Sequence, residues 1–527
     1  MSHRPDLLIH NGHVWSDGRL LDADAILVHD GHIVAIGSSE TLAARVGSEP
    51  LDRIDARGGL VSPSFADAHI HAAFGGISLN SLDLSFAADA EECLQVVAAH
   101  SATTDGWIVG SGWDMSHFPG GAPTAAALDA VTGHRPAFLE SADHHSAWVN
   151  TAALRVAGID RQTPEPDDGR IERDAHGEPS GTLHEGAATL VADVLPTVAV
   201  AAIADGLRTA WTRLRAAGIT AWHDALIGES GASPDPTPGY VELIANGELD
   251  ARVSGALWVG RDVTLETIDI SVQELSRRRA TNAAAGFDTS TAKIMLDGIA
   301  ESQTAAMHEP YLVDGCDCGT DRGLTYFGRE VLFALTRALV AEGFALHFHA
   351  IGDRAVTDAL DAIEQLPDDT RTTRRHHIAH VQVVDPADIP RFAGLDVTVN
   401  AQALWACNED QMTELTVPIL GERRAAWQYP FGSLVRSGAD LAMGSDWPVS
   451  TFDPWAAIHV AVNRRPPGSS TRPLNPGEEV DLHTALRAYT AGSHDLLGLH
   501  GSGRLEVGAR ADICIADRNP FGAPSAE

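Results

Sequence analysis

The sequence predicts an α/β fold: a (β/α)8 TIM barrel, a small β-sandwich built from both chain ends, and an insertion after the first barrel strand. Three observations carry this reading. Short apolar runs alternate with amphipathic helical runs through most of the chain, the pattern of a parallel sheet covered by helices. Several of those apolar runs end in a residue able to hold a metal ion, and the strands of such a barrel present their C-terminal ends to one shared site. Both chain ends read as short strands, too few to form a stable sheet separately, so one shared sandwich is the economical solution.

In order, residues 1–60 form the first part of the sandwich, with turns at Asn11-Gly12, Asp17-Gly18 and Asp30-Gly31. Residues 61–480 form the barrel. Its strand candidates include a first strand carrying His69 and His71, then Thr220 to His223, Arg252 to Trp258, Lys293 to Leu296, Ala345 to Phe348, Ile378 to Val381, Val397 to Asn400 and Leu441 to Met443. Helices are expected over 199–217, 328–343, 353–365 and 482–498. Residues 79–200 break the alternation, being rich in Ala, Asp, Gly and Pro, and read as an insertion over the barrel mouth. Residues 481–527 hold the C-terminal helix and the second part of the sandwich. No Gly-rich phosphate loop follows a strand, which disfavours a nucleotide-binding fold.

The 37 basic and 72 acidic residues give a formal charge of −35. Nucleic acid and anionic membrane surfaces are therefore excluded as expected partners, because both need a basic face. The five cysteines are too few and scattered for a disulfide framework, and Cys316-Asp317-Cys318 lies in a Gly/Asp-rich surface loop. The start of the chain lacks the apolar core of a signal peptide, and no stretch approaches membrane-spanning length. A cytoplasmic protein acting on a small molecule is expected, with a homodimer as one admissible assembly.

The most informative motif is Asp67-Ala68-His69-Ile70-His71. On an extended strand residues i and i+2 point to the same side, so His69 and His71 can offer two imidazoles to one ion. Lys293 sits inside an apolar run, where burial disfavours its ammonium form. His349 and His380 end further strands, and Asp446 follows Leu441-Ala442-Met443. His347 shares a strand face with His349 and is a rival for its place, whereas His376 and His377 read as strand-edge residues. No Gly-x-Ser-x-Gly elbow and no His-Glu-x-x-His helix occurs.

Taken in order, these segments resemble the amidohydrolase superfamily, and within it the YtcJ-like branch that includes the N-substituted formamide deformylases. The resemblance extends to Trp107-Ile108-Val109-Gly110-Ser111-Gly112-Trp113-Asp114, to His145-Ser146-Ala147-Trp148-Val149-Asn150 and to Leu505 through Asp512. It implies a divalent metal centre of one or two ions, with zinc the best match to imidazole donors. His69 and His71 would hold the first ion, His349 and His380 the second. Lys293, as a carbamate, would bridge them. Asp446 would touch the metal and act as general base and proton shuttle. The chain departs from the family at Ala379, where many relatives carry Glu.

The function this implies is hydrolysis of a non-peptide C–N bond, an N-acyl or N-formyl amide, by a metal-activated water. Cyclic-amide, deaminase or esterase activity on the same site, or a non-catalytic metal-binding barrel, are the alternatives. Asp67, Asp297, Asp353 and Gln382 are candidates to support the ligands, and Trp113, His145, Trp405 and Trp447 to face the substrate.

Overall fold

The computed structural model describes residues 6–46, 50–230, 233–313, 315–316, 318–371 and 375–522. Eight parallel strands form the central sheet in consecutive order: β1 (Phe65–Ile70), β2 (Ile219–Ile227), β3 (Arg252–Trp258), β4 (Asp288–Met295), β5 (Ala345–Ala350), β6 (His377–His380), β7 (Thr398–Ala401) and β8 (Leu441–Met443). Strand interiors such as Ile294, Phe348, Ile378 and Val399 are buried against the surrounding helices, including Val200–Ala216, Arg329–Ala341 and Asp353–Glu364. Among the described residues no ladder joins β8 to β1. The ring is closed there by Asp446 N donating to His69 O (2.7 Å), Ser445 N to Asp67 Oδ1 (3.0 Å) and Asn400 Nδ2 to Ala68 O (2.9 Å).

Two four-stranded sheets make the sandwich. One pairs Leu7–His10, Ala25–His29, His32–Gly37 and Asp52–Asp55. The other pairs Ile513–Ile515 from the far end of the chain with Leu60–Pro63, which continues directly into β1. Asp17-Gly18 and Asp30-Gly31 have positive φ at both positions, as a tight hairpin turn demands. Ile9, Val14, Ile26, Ile33, Val61 and Leu505 fill the space between the layers.

Between β1 and β2 the chain builds a separate six-stranded sheet, Leu82 to Glu185, with its own core around Trp113, Trp148 and Leu128. Its strand ends carry Glu140, His145 and Glu185 to the barrel mouth. The helix expected over 482–498 is interrupted. Leu482–Arg487 runs into a widened turn over Ala488–Gly492 before Ser493–Leu496, and Ser493 Oγ there donates to Ala488 O. Among the described residues no helix is long and apolar enough to cross a membrane.

Candidate metal centre

The ends of β1, β4, β5, β6 and β8 meet at one place, the floor of a cavity of about 440 Å³ lined by His69, His71, Lys293, His349, His380 and Asp446. A second lobe of about 420 Å³ opens on the other side of His349 and Asp446 and is lined by Trp405 and Glu409. All six residues proposed from sequence as ligands thus converge. His69 Nε2 and His71 Nε2 lie 3.3 and 3.1 Å from Asp446 Oδ1, and His380 Nδ1 lies 3.9 Å from Asp446 Oδ2. The His349 and His380 rings are 4.5 Å apart.

The backbone is bent to achieve this. His380 and Asp446 adopt left-handed conformations (φ 75° and 54°), which non-glycine residues seldom visit and which concentrate at functional sites. Gly444 lets β8 approach β1, since a side-chain carbon there would lie 2.4 Å from His69 N.

Burial sets the charges. It pushes His69, His349 and His380 well below the ordinary imidazole value, with Lys293, His380 and His69 adding to the effect on each in turn. Burial opposes ionisation of Asp446, yet His69 and His71 hold its carboxyl well below the usual carboxylate range. Burial brings the Lys293 ammonium down to about 8, against the pull of Asp446 and Asp224. Neutral imidazoles, an ionised carboxylate and an easily deprotonated amine are the forms that ligate metal.

The donor set fits a divalent ion. Asp446 Oδ1, His71 Nδ1 and His380 Nδ1 are buried without a hydrogen-bond partner, and His69, His380 and Asp446 each offer an atom within 4.8 Å of the others. His349 Nε2 donates to Gly298 O (3.2 Å), leaving Nδ1 as its lone-pair nitrogen. His69 Nδ1 meets His347 Nε2 at 3.0 Å, which leaves Nε2 facing Asp446.

The supporting residues act mainly on backbone. Asp67 Oδ1 accepts from His69 N and Ser445 N, and Asp297 accepts from Ala306, Ile351 and Gly352 N–H groups while standing 3.7 Å from His349 Nε2. Burial raises these two carboxyls to about 7 and about 8. Asp353 instead accepts from His308 N, and Gln382 pairs with Gln428.

Of the substrate-side candidates, His145 lines both lobes and Trp405 stacks on His380 (5.1 Å, 5° between planes). Trp113 does not reach the cavity. It is wholly buried in the insertion core, with Nε1 donating to Leu139 O. Trp447 is likewise enclosed, packed on Phe452 and over Gly75. His376 and His377 correct the expectation of strand-edge residues: both are buried. β6 is flanked on both sides by β5 and β7, so it has no exposed edge to give them.

Sequence reading missed Glu185 and Arg261. Glu185 Oε1 lies 2.7 Å from His145 Nδ1 and its Oε2 lies 3.4 Å from Arg261. Burial opposes ionisation of Glu185, but His145 and Arg261 hold its carboxyl well below the carboxylate range. Burial likewise opposes charge on His145, which Glu185 raises above the ordinary imidazole value. Nothing in the local sequence marks this cluster of Glu185, His145 and Arg261, because its three members come from separate elements.

Known proteins are similar to this chain along nearly its whole length. The chain is 29% identical over 515 residues to the Bacillus subtilis protein YtcJ, covering 96% of this chain and 92% of that one. It is 27% identical over 549 residues to an N-substituted formamide deformylase of Arthrobacter pascens, covering 100% and 96%. An uncharacterized metal-dependent hydrolase from Pyrococcus furiosus superposes with a TM-score of 0.70 at 25% identity, over 98% of this chain and 99% of that one. The family model described as "Amidohydrolase family" matches residues 52–527, so the chain belongs to the amidohydrolase family.

Proposed function

We propose that this chain is a metal-dependent hydrolase of non-peptide C–N bonds, acting on an N-acyl or N-formyl amide. One observation carries the reading above the others. A buried, ionised carboxylate, Asp446, stands beside the imidazoles of the His-x-His pair, on the floor of a cavity open to a small molecule. The similarity to a protein named as an N-substituted formamide deformylase supports the substrate class.

His69, His71, His349, His380 and Asp446 would hold one or two divalent ions, zinc by donor type. When bound, the ions supply Lewis acidity, acidifying water and polarising an acyl oxygen. Lys293 in its neutral form would add carbon dioxide, forming an N–C bond and releasing one proton, to give a carbamate with two ligating oxygens. Asp446 would take a proton from the attacking water and hand it to the amine nitrogen as the C–N bond breaks. His145 donates Nδ1–H to Glu185, which favours its imidazolium form, and in that form it would also offer an Nε2–H to the acyl oxygen.

The test is elemental analysis of protein purified without chelator, then a hydrolysis screen of N-formyl and N-acyl amines beside cyclic amides, aminated heterocycles and esters. One to two equivalents of zinc and amine release lost on chelation are expected. Turnover confined to the comparison substrates would move the assignment to that class. Bound metal with no turnover on any of them would point to a non-catalytic barrel, and a metal-free active protein would overturn the reading entirely.

A further inference from the structure

Beneath the candidate catalytic centre the barrel interior holds a second set of histidines. His223 on β2, His347 on β5 and His377 on β6 are all buried, and one ring nitrogen from each lies within 4.8 Å of the other two. Ring centroids are 4.2 Å apart for His347 and His377, 5.5 Å for His223 and His347, and 5.9 Å for His223 and His377. Each ring already spends one nitrogen. His223 Nδ1 is 2.8 Å from Ser254 Oγ, His347 Nε2 is 3.0 Å from His69 Nδ1, and His377 Nδ1 donates to Arg375 O at 3.5 Å. The remaining nitrogens, His223 Nε2, His347 Nδ1 and His377 Nε2, are buried with no hydrogen-bond partner.

Three buried rings packed together, each with an orphaned nitrogen, are unusual, because buried polar atoms are nearly always satisfied. Donation by His377 Nδ1 leaves a lone pair on its Nε2, and a serine hydroxyl can donate or accept, so His223 can present a lone pair too. We propose that His223, His347 and His377 form a second metal site in the barrel core, separate from the catalytic centre, for a transition ion such as Zn2+. The donors are all imidazole and include no carboxylate, which favours zinc, cobalt, nickel or copper over magnesium or calcium.

The His69–His347 contact links the two sites. A neutral imidazole carries one N–H. For His69 to offer Nε2 to the catalytic centre, its proton sits on Nδ1 and is donated to His347 Nε2, so the proton of His347 occupies Nδ1. For His347 to offer Nδ1 to the core site, its proton moves to Nε2 and is donated to His69 Nδ1, which puts a proton on His69 Nε2. The neutral pair serves one site at a time. Filling the core site therefore withdraws His69 from the catalytic set, and excess metal inhibits. This consequence rests on the proposed hydrolase activity; the binding itself does not.

The experiment uses the full chain. With Asp446→Ala and His349→Ala crippling the catalytic centre, equilibrium dialysis against Zn2+ should still find about one equivalent. Adding His223→Gln or, separately, His377→Gln should remove it, with circular dichroism confirming the fold. Crystals of the unaltered chain grown in excess Zn2+ should show an anomalous peak among the three rings, a measurement needing no substitution. In the otherwise unaltered enzyme, His377→Gln should relieve inhibition by excess Zn2+. No anomalous peak at saturating Zn2+, or an equivalent that survives both Gln variants, would overturn the proposal. Metal counts that follow it, in a protein without amidase turnover, would fail the functional reading and leave the core site standing.

Discussion

Asp446 is held in a left-handed conformation that costs on the order of 1–3 kcal/mol. Its own N–H bond to His69 O (2.7 Å) and the bond from Val449 N to its carbonyl (2.8 Å) keep it there. Asn tolerates this conformation and keeps the shape, but accepts no proton. Asp446→Asn should therefore stay folded and lose about 10²–10⁴-fold in turnover on any confirmed substrate; unchanged kcat would send the search for the base elsewhere. Lys293 gives a pH test. Burial lowers it from 10.5 to about 8, so between those values the unfolded chain binds a proton that the folded chain has released. Stability of the metal-free protein should then rise with pH across that window, the folded state carrying the full penalty below pH 8. Lys293→Met removes the penalty. The metal-free variant should be more stable than its parent at pH 7 by on the order of 1–3 kcal/mol, with the gain fading towards pH 10.5 in denaturant titrations. Equal stability of the two proteins at both pH values would mean that Lys293 is solvated.

At the scale of elements, the strand ends matter more than the strands. β8 and β1 touch through Gly444, where an added Cβ would meet His69 N at 2.4 Å and His69 Cβ at 2.7 Å. Both are too close to be relieved by a rotamer change. Gly444→Ala should cost about 1–3 kcal/mol in stability and weaken metal binding, read together as a lower Tm and a lower metal content after dialysis. A fall in Tm without metal loss would show that β8 shifts away from His69 while the ligands regroup. The same scale shows where pattern reading succeeds. Apolar runs located every barrel strand, with Arg252–Trp258 and Leu441–Met443 at their observed bounds. It fails where position within the sheet decides. His377 reads as an edge residue in one dimension and lies in the barrel interior in three.

At the scale of the molecule, the two chain ends form one structure. Ile513–Ile515 pairs with Leu60–Pro63, the strand that leads into β1 and its histidines, and Arg252 on β3 bonds Asp512 at 2.8 Å. Deleting residues 502–527 removes that pairing and bares Val61 and its neighbours. The truncated chain should be largely insoluble or unfold at a clearly lower Tm, with metal content falling alongside, because the sandwich and β1 share a backbone. A soluble truncation with the parental Tm would show that the ends are independent of the barrel.

The sequence by itself determined the alternation of strands and helices, the sharing of a sandwich between the chain ends, and the order of His69, His71, Lys293, His349, His380 and Asp446. Each is a local signal: a period, a turn dipeptide, or a ligand type at the end of an apolar run. Only the tertiary structure decided the rest. The Glu185–His145–Arg261 cluster joins the insertion to the loop after β3, and the histidine trio joins β2, β5 and β6. Trp113 and Trp447 were separated from His145 and Trp405 in the same way, by which face of a folded layer each one met. Contacts between residues far apart in the chain leave no period to read, because distance in sequence says nothing of which strand ends a closed barrel will bring together.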